Sequence, residues 1–190
     1  MSVLHKAGRY SNGVGSQTPE AVAGGYPLHE ACLKGNLERT RKLLEEYPDL
    51  ISARGDSGNT ALHCAAANGR EAVVNLLLSK EAYVNAKNGN GGTPLHNAAI
   101  GGYTDVAGSL LAGGAEIDAK DQYGYTPLQS AALKGQLPMV EFLLSKGASA
   151  IPLEKSADFS TDTRTEFRWA FYLAWLLVVG LIGAALWLAG

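Results

Sequence analysis

The chain has 190 residues, with 16 basic and 18 acidic side chains and a formal net charge of −2. No basic stripe runs through it, which argues against nucleic acid as a partner. Its two cysteines are too few for a disulfide-stapled secreted fold, so we expect Cys32 and Cys64 to be buried free thiols.

The first 24 residues are rich in Gly and Ser and poor in large apolar side chains. Such a composition cannot bury enough apolar surface to fold, so we predict that residues 1–24 are disordered. Lys6 and Arg9 lie there without an apolar run of signal-peptide length, and we expect no secretory leader. The length of the remaining chain suits one modest domain plus tails.

One sequence block recurs four times between residues 25 and 150. It begins near a Thr-Pro-Leu-His motif, continues through small residues and Gly, and ends on a Leu-Leu pair. The first leucine of each block is Leu28, Leu62, Leu95 or Leu128, in steps of 34, 33 and 33. A fixed period over about 130 residues predicts a solenoid, in which each unit buries its apolar face against its neighbours.

The third block shows how one unit folds. Thr93 can cap a helix that begins at Pro94, where a missing N–H costs nothing. Gly101 and Gly102 end this helix, since Gly tolerates the left-handed C-terminal conformation. A second helix is predicted over 105–111, followed by an extended, hairpin-like loop to residue 124. The predicted fold class is therefore all-α, with about four helix-turn-helix units.

These residues resemble the ankyrin repeat family. The third block reads GTPLHNAA over 92–99, the fourth reads YTPLQSAA over 125–132, and the loops read VNAKN and IDAKD over 84–88 and 117–121. The resemblance covers residues 25–150 and implies repeats at 25–58, 59–91, 92–124 and 125–150. Tyr26, Ala61 and Gln129 depart from the family motif, and the first turn-back loop lacks its Asn or Asp.

The end of the fourth repeat also departs from the pattern. The segment 148–152 breaks the loop sequence seen in the other repeats and supplies no polar capping helix. Terminal repeats face solvent on one side. We therefore expect the outer face around Phe142 and Leu143 to be partly exposed or covered by the segment 151–168.

Three histidines recur in register, at His29, His63 and His96. Successive repeats place them roughly 10 Å apart, by the spacing of packed helices, whereas ligands of one metal lie about 2 Å from it. We predict no metal site here. The resemblance implies instead that each histidine makes hydrogen bonds that brace the loops.

No motif in the sequence indicates catalysis or a cofactor. The glycine-rich run 89–92 lacks the Lys of a phosphate-binding loop and the preceding strand of a dinucleotide fold. No Ser-His-Asp, Cys-His or paired-carboxylate set stands apart from the repeat scaffold. We expect a chain that is not an enzyme and binds no small-molecule substrate.

The resemblance implies that a protein partner binds a concave face, built from the loop tips and the exposed side of each first helix. The corresponding positions are Asp56, Ser57, Asn59, Asn68, Asn90, Ile100, Gln122, Tyr123, Tyr125, Leu133 and Lys134. Tyrosines are favoured interface anchors, so Tyr123 and Tyr125 are of most interest. The alternative is that one of these rings only covers the neighbouring repeat.

The C-terminal 22 residues, 169–190, contain no charged side chain. As a helix they would measure about 33 Å, enough to cross a hydrocarbon core of about 30 Å. Trp169 and Trp187 near the two ends suit an interfacial aromatic belt. We predict a single transmembrane helix, the alternative being a buried helix packed on the last repeat.

The segment before this span, residues 151–168, is polar and reads as a tether. Arg164 and Arg168 precede the span and no charge follows it, so the positive-inside tendency places the repeats in the cytoplasm. Gly180 and Ala184 form a small-xxx-small pair through which the span could dimerise. This arrangement predicts a tail-anchored protein with a lipid bilayer as one partner.

The favoured function is a membrane-tethered adaptor that binds an unidentified protein. One alternative is a subunit or fragment of a larger membrane protein, such as a channel or an acyltransferase with ankyrin repeats. The chain shows no pore loop and no Asp-His-His-Cys signature. Another alternative is a soluble inhibitor whose tail inserts only on demand.

Overall fold

The computed structural model describes residues 27–55 and 57–150. Within these ranges the regular structure is helical throughout. The α-helices are α1 (Pro27–Lys34), α2 (Leu37–Glu46), α3 (Ala61–Ala67), α4 (Glu71–Ser79), α5 (Pro94–Gly101), α6 (Thr104–Ala112), α7 (Pro127–Leu133) and α8 (Leu137–Ser145). A 3₁₀ helix, Pro48–Ser52, follows α2.

The helices form four successive helix-turn-helix units that stack in chain order. The first helices of the units, α1, α3, α5 and α7, contact one another in sequence and form one layer. The second helices, α2, α4, α6 and α8, form the other layer. This arrangement confirms the predicted all-α fold of four repeats.

Local capping chemistry explains where the first helices begin and end. Thr93 is the N-cap of α5 with extended backbone, and Pro94 follows at the first helical position. Gly102 ends the same helix with φ +74°, in the left-handed region. Thr126 and Pro127 repeat the N-terminal arrangement in α7. The predicted start and end of α5 are confirmed.

The core lies between the two layers. The four register leucines, Leu28, Leu62, Leu95 and Leu128, are at most 1% exposed. Small residues of the first-helix layer are equally buried and let its helices approach closely: Ala61, Ala65, Ala66, Ala98, Ala99 and Ala131. Because each helix contributes a narrow apolar stripe, a repeat is buried only when its neighbours are in place.

Two features differ from expectation. Leu143 is fully buried, so the expected partial exposure is wrong for this residue, whereas Phe142 is half-buried and agrees with it. Ser149 restores the loop pattern, because its N–H and its hydroxyl donate to the Asp118 carboxylate, the latter at 2.6 Å. The 3₁₀ helix Pro48–Ser52 was also not predicted, and it occupies the first turn-back loop that lacks the family residues.

Over residues 27–55 and 57–150, no helix is both long and apolar enough to cross a bilayer. The predicted transmembrane span at 169–190, the tether at 151–168 and the N-terminal segment 1–24 all lie outside the described residues.

Candidate protein-binding surface

The loop tips, residues 88–92 and 121–125, are closed by side-chain oxygens that accept hydrogen bonds from backbone N–H groups of the same loop. The Asp121 carboxylate accepts the N–H groups of Tyr123 and Tyr125, at 2.8 and 2.9 Å. The N–H of Asp121 donates in turn to the carbonyl of Tyr125 at 3.0 Å and closes the turn. Asn88 makes the equivalent three bonds one repeat earlier. These closed turns present the tip side chains from a fixed backbone.

Neighbouring tips are also joined directly by their backbones. The N–H of Gly89 donates to the carbonyl of Ser57 at 2.8 Å, and the N–H of Gln122 donates to the carbonyl of Asn90 at 3.0 Å. The Gln122 side-chain amide lies 3.4 Å from the Asn90 side-chain oxygen. The tips of three repeats therefore form one continuous edge rather than three independent loops.

Each recurring histidine ties its own helix to the next loop. The Thr60 N–H donates to Nδ1 of His63 at 3.2 Å, so Nε2 carries the proton that is donated to the Gly92 carbonyl at 3.1 Å. Burial lowers the pKa of His63 to about 4, because the charged imidazolium would lose its hydration. His63 is therefore neutral at physiological pH, as these two hydrogen bonds require.

The other two histidines occupy the same position in their repeats. Nε2 of His29 lies 2.9 Å from the Asn59 carbonyl, and Nε2 of His96 lies 3.0 Å from the Tyr125 carbonyl. Desolvation lowers both pKa values. The predicted loop-bracing role is confirmed by these bonds. Over the described part of the chain, no cluster of His, Cys, Asp and Glu is arranged to hold a metal ion.

Two basic side chains also take part in the hydrogen bonds that join the loops of successive repeats, which we call the ladder bonds. Arg54 donates to the Lys87 carbonyl at 2.6 Å, and Lys87 donates to the Lys120 carbonyl at 3.2 Å. Both bonds join residues 33 positions apart. These cations stabilise the contact between adjacent loops, so the loops present them already bonded to the protein.

An apolar row crosses the ends of all four first helices. It consists of Leu33, Ala67, Ile100 and Leu133, and the three large side chains are 42%, 42% and 46% exposed. Leu33 is the member that the sequence reasoning missed, although it stands 34 residues before Ala67 in the repeat register. Since most other aliphatic side chains of the stack are buried or half-buried, this exposed row is a candidate contact surface.

The apolar row has uncharged neighbours in its middle and charged neighbours at its ends. One helical turn before Ala67 and Ile100 stand Cys64 and Asn97, both half-buried. At the first repeat, Lys34 pairs with Glu30 at 2.6 Å and Nε of Arg70 donates to the Leu33 carbonyl at 3.1 Å, and at the fourth repeat Lys134 is exposed. The central part of the row therefore suits an apolar ligand.

The structure sorts the predicted site residues into three groups. Exposed residues are Ser57, Asn90, Ile100, Gln122, Tyr123, Leu133 and Lys134. Asn59, Asn68 and Tyr125 are half-buried. The Asn59 side chain accepts from Asn88 at 2.9 Å, and the Asn68 side chain donates to the Cys64 carbonyl at 2.9 Å. Asp56 lies outside the described residues.

The two tip tyrosines play different parts. Tyr123 is 62% exposed, and its ring centre lies 6.5 Å from that of Tyr125 at an angle of 40°. Tyr125 is half-buried, and its carbonyl receives the His96 hydrogen bond. Tyr123 is thus available to a partner, whereas Tyr125 is partly buried and its ring lies beside that of Tyr123.

Both cysteines are free thiols, as the sequence predicts. Cys32 is fully buried, with its sulfur 3.9 Å from the Thr40 hydroxyl, and burial raises its pKa to about 12. Burial also raises the pKa of the half-buried Cys64. Since the thiolate is the reactive form, neither position has the chemistry of a nucleophile.

Comparison with known proteins agrees with this architecture. The sequence matches the family described as ankyrin repeats (3 copies) over residues 3–88 and 83–151. It is also 34% identical over 77 residues to mouse ankyrin repeat domain-containing protein 13C, a stretch that makes up 37% of this chain. The chain spans only 14% of the length of that relative. Because the family match covers most of the sequence, the protein belongs to the ankyrin repeat family, whose members are typically non-catalytic protein-interaction modules.

Proposed function

We propose that the protein is a non-catalytic adaptor that binds a protein partner while held at the cytoplasmic face of a membrane. One observation carries the binding half of this proposal. Three large apolar side chains, Leu33, Ile100 and Leu133, are exposed in one row across the first helices, and Leu137 at the start of α8 is exposed as well.

The partner is expected to engage the third and fourth repeats most strongly. Ile100 and Leu133 are neighbouring members of the apolar row, and Tyr123 stands exposed at the tip between their repeats. Interface hot spots are enriched in aromatic residues and lie where surrounding contacts exclude water. The bonded tip backbone fixes Tyr123 before binding, which lowers the entropy lost on association.

The membrane half of the proposal is supported by sequence alone. Residues 169–190 have the length and composition of a bilayer-spanning helix, and Arg164 and Arg168 precede them. The positive-inside tendency then directs the repeats to the cytoplasm. An adaptor needs both parts, since the anchor determines where the partner is gathered.

A crosslinking experiment on membranes tests both halves. One portion of membranes carrying the full chain is washed with alkaline carbonate, which removes peripheral proteins, and a second, unwashed portion is treated with a crosslinker. We expect the chain to stay in the pellet and to form a crosslinked product that Leu133→Lys abolishes. Tyr83→Lys is the matched control, because Tyr83 is 71% exposed but lies in the loop after α4, outside the apolar row.

Two results would contradict the proposal in different ways. Release of the chain by carbonate removes the membrane half. Equal crosslinking by Leu133→Lys, Tyr83→Lys and the unaltered chain removes the apolar row as the binding surface. The Lys variants introduce a positive charge at the C-terminal end of α7 or in a loop, where it does not oppose the helix dipole, so folding should be preserved.

A second candidate is that these repeats form the interaction part of a larger membrane protein. The similarity to a relative of which the chain spans 14% favours this reading. An immunoblot of the endogenous protein distinguishes the two. A band near 19.9 kDa supports the adaptor, and a much larger band supports the second candidate.

A further inference from the structure

The apolar row and the uncharged segment 169–190 belong to the same chain. We propose that the row binds this segment when no bilayer is available, and that insertion of the segment into a membrane frees the row for its protein partner. The regulatory part of this inference depends on the proposed function, whereas the intramolecular contact does not.

The lengths of the two surfaces agree. Packed helices lie about 8–10 Å apart, so the three steps from Leu33 to Leu133 cover about 24–30 Å. The segment 169–190 in helical form would measure about 33 Å. A single helix laid across the four first helices could therefore contact every member of the row.

The middle of the row is uncharged, as the segment is, whereas charged side chains lie at the two ends of the row. The two central repeats place Ala67 and Ile100 in the row, with uncharged Cys64, Asn68 and Asn97 beside them. A helix carrying charged side chains would have to desolvate them against this surface, which is costly. The segment 169–190 has no charged side chain and brings apolar residues on every side.

Connectivity favours the segment over a competing molecule. The 18 residues of 151–168 can span at most about 59–65 Å when fully extended, which exceeds the length of the row. A site and a ligand joined by a short linker meet at an effective concentration on the order of millimolar. A second copy of the chain would need a comparable concentration to displace the internal segment.

Competition for one surface makes partner binding depend on the membrane. In water the exposed row and the segment each have apolar surface to bury, and both do so by contacting each other. A bilayer offers the segment full burial and leaves the row empty. The partner would then bind only those molecules that are already anchored.

Tryptophan fluorescence gives a direct test. All three tryptophans, Trp169, Trp175 and Trp187, lie in the segment, so the emission of the full chain reports on that segment alone. In dilute lipid-free buffer we expect blue-shifted emission and protection from iodide. Ile100→Lys should shift the emission to the red and remove the protection, whereas Tyr83→Lys should change neither. Identical spectra for the two variants would overturn the inference.

A photocrosslink excludes aggregation as the source of a blue shift. A benzophenone attached at Leu133→Cys, with Cys64→Ser to remove the other accessible thiol, is activated in full-length protein. In lipid-free buffer we expect crosslinked peptides from 169–190 of the same molecule, and in phosphatidylcholine vesicles we expect their loss. No crosslink to that segment, or a crosslink to a second copy, would overturn the inference.

The outcomes also separate this inference from the proposed function. Partner capture that fails in vesicles while the lipid-free crosslink is present contradicts the adaptor and leaves the internal contact standing. Partner capture that succeeds equally with and without vesicles contradicts the regulation. Absence of the crosslink contradicts the internal contact whatever the partner does.

Discussion

The imidazole of His63 reaches across a repeat boundary, with Nε2 lying 3.1 Å from the carbonyl oxygen of Gly92. Its opposite ring nitrogen accepts the N–H of Thr60 at the start of α3. One neutral side chain therefore caps its own helix and also holds the following loop. The consequence is a stability that depends on the protonation of this ring.

We predict that acid destabilises the repeats partly through His63. Its pKa falls from 6.5 to about 4 on folding, so between these values the unfolded chain binds more protons, and stability is lost as the pH falls. His63 alone should cost roughly 2–3 kcal/mol between pH 7.5 and pH 4.5. Urea denaturation at several pH values measures the slope.

His63→Gln provides the control for this slope. Gln129 occupies the same position in the fourth repeat, and its side-chain oxygen accepts the Thr126 N–H at 2.9 Å. The variant should lose about 1 kcal/mol at neutral pH through the bond to Gly92, and its stability should depend less on pH. An unchanged slope would show that other groups, such as His29, His96 or the carboxylates, and not His63, cause the acid effect.

Leu95→Ala should destabilise the stack more than any truncation on its surface. Leu95 is completely buried in α5, which packs on both α3 and α7. We expect a loss of about 2–5 kcal/mol of unfolding free energy. Ile100→Ala, in the same helix but 42% exposed, is the matched comparison and should cost far less. Similar costs for the two would mean that α5 is not packed as described.

Two tip glycines should respond differently to alanine. Gly91 and Gly124 both have positive φ, +72° and +80°. A Cβ on Gly124 meets nothing within 4 Å, so Gly124→Ala should cost only the backbone term of about 1–2 kcal/mol. A Cβ on Gly91 would lie 2.7 Å from the Gln122 nitrogen, so Gly91→Ala should cost more. Equal shifts in thermal unfolding would contradict the close contact between neighbouring tips.

The proposed membrane anchor can be tested by placing a lysine at different positions along 169–190. Val179→Lys, near the centre of 169–190, should impair membrane insertion by roughly 2.5–3.5 kcal/mol. Trp169→Lys should be much milder, because a lysine at the end of the span can reach the interface. Protease treatment of sealed vesicles reports the topology, with the repeats digested from the cytoplasmic side. Protected repeats would invert the topology, and a chain lacking 169–190 that still pellets would remove the anchor.

Sequence alone predicted those parts of the fold that local chemistry controls. Thr93, Pro94 and Gly102 define the ends of α5 because capping, a fixed φ and a left-handed residue act within a few positions. The 3₁₀ helix Pro48–Ser52 was missed, since its loop departs from the repeat motif and its conformation follows from packing after α2.

The candidate site was harder to predict because exposure depends on neighbouring repeats. Asn68 was predicted to be a surface position, but its side-chain amide donates a hydrogen bond to the Cys64 carbonyl. Leu33 was missed even though the register would have found it. Leu143 is buried as part of the core between the two layers, and Ser149 bonds to Asp118 although its loop departs from the repeat motif.

The spacing of the ladder bonds has a consequence for how such a chain can change in length. Arg54 and Lys87 each reach the residue 33 positions further on, and His29 and His63 each brace the following loop. Excising residues 59–91 would bring His29 opposite Gly92 in place of Asn59, with the same donor and the same acceptor. Gene duplication or loss in units of 33 codons can therefore lengthen or shorten the molecule while these loop-bracing hydrogen bonds are kept. The length of the repeat stack can thus change in evolution by whole repeats.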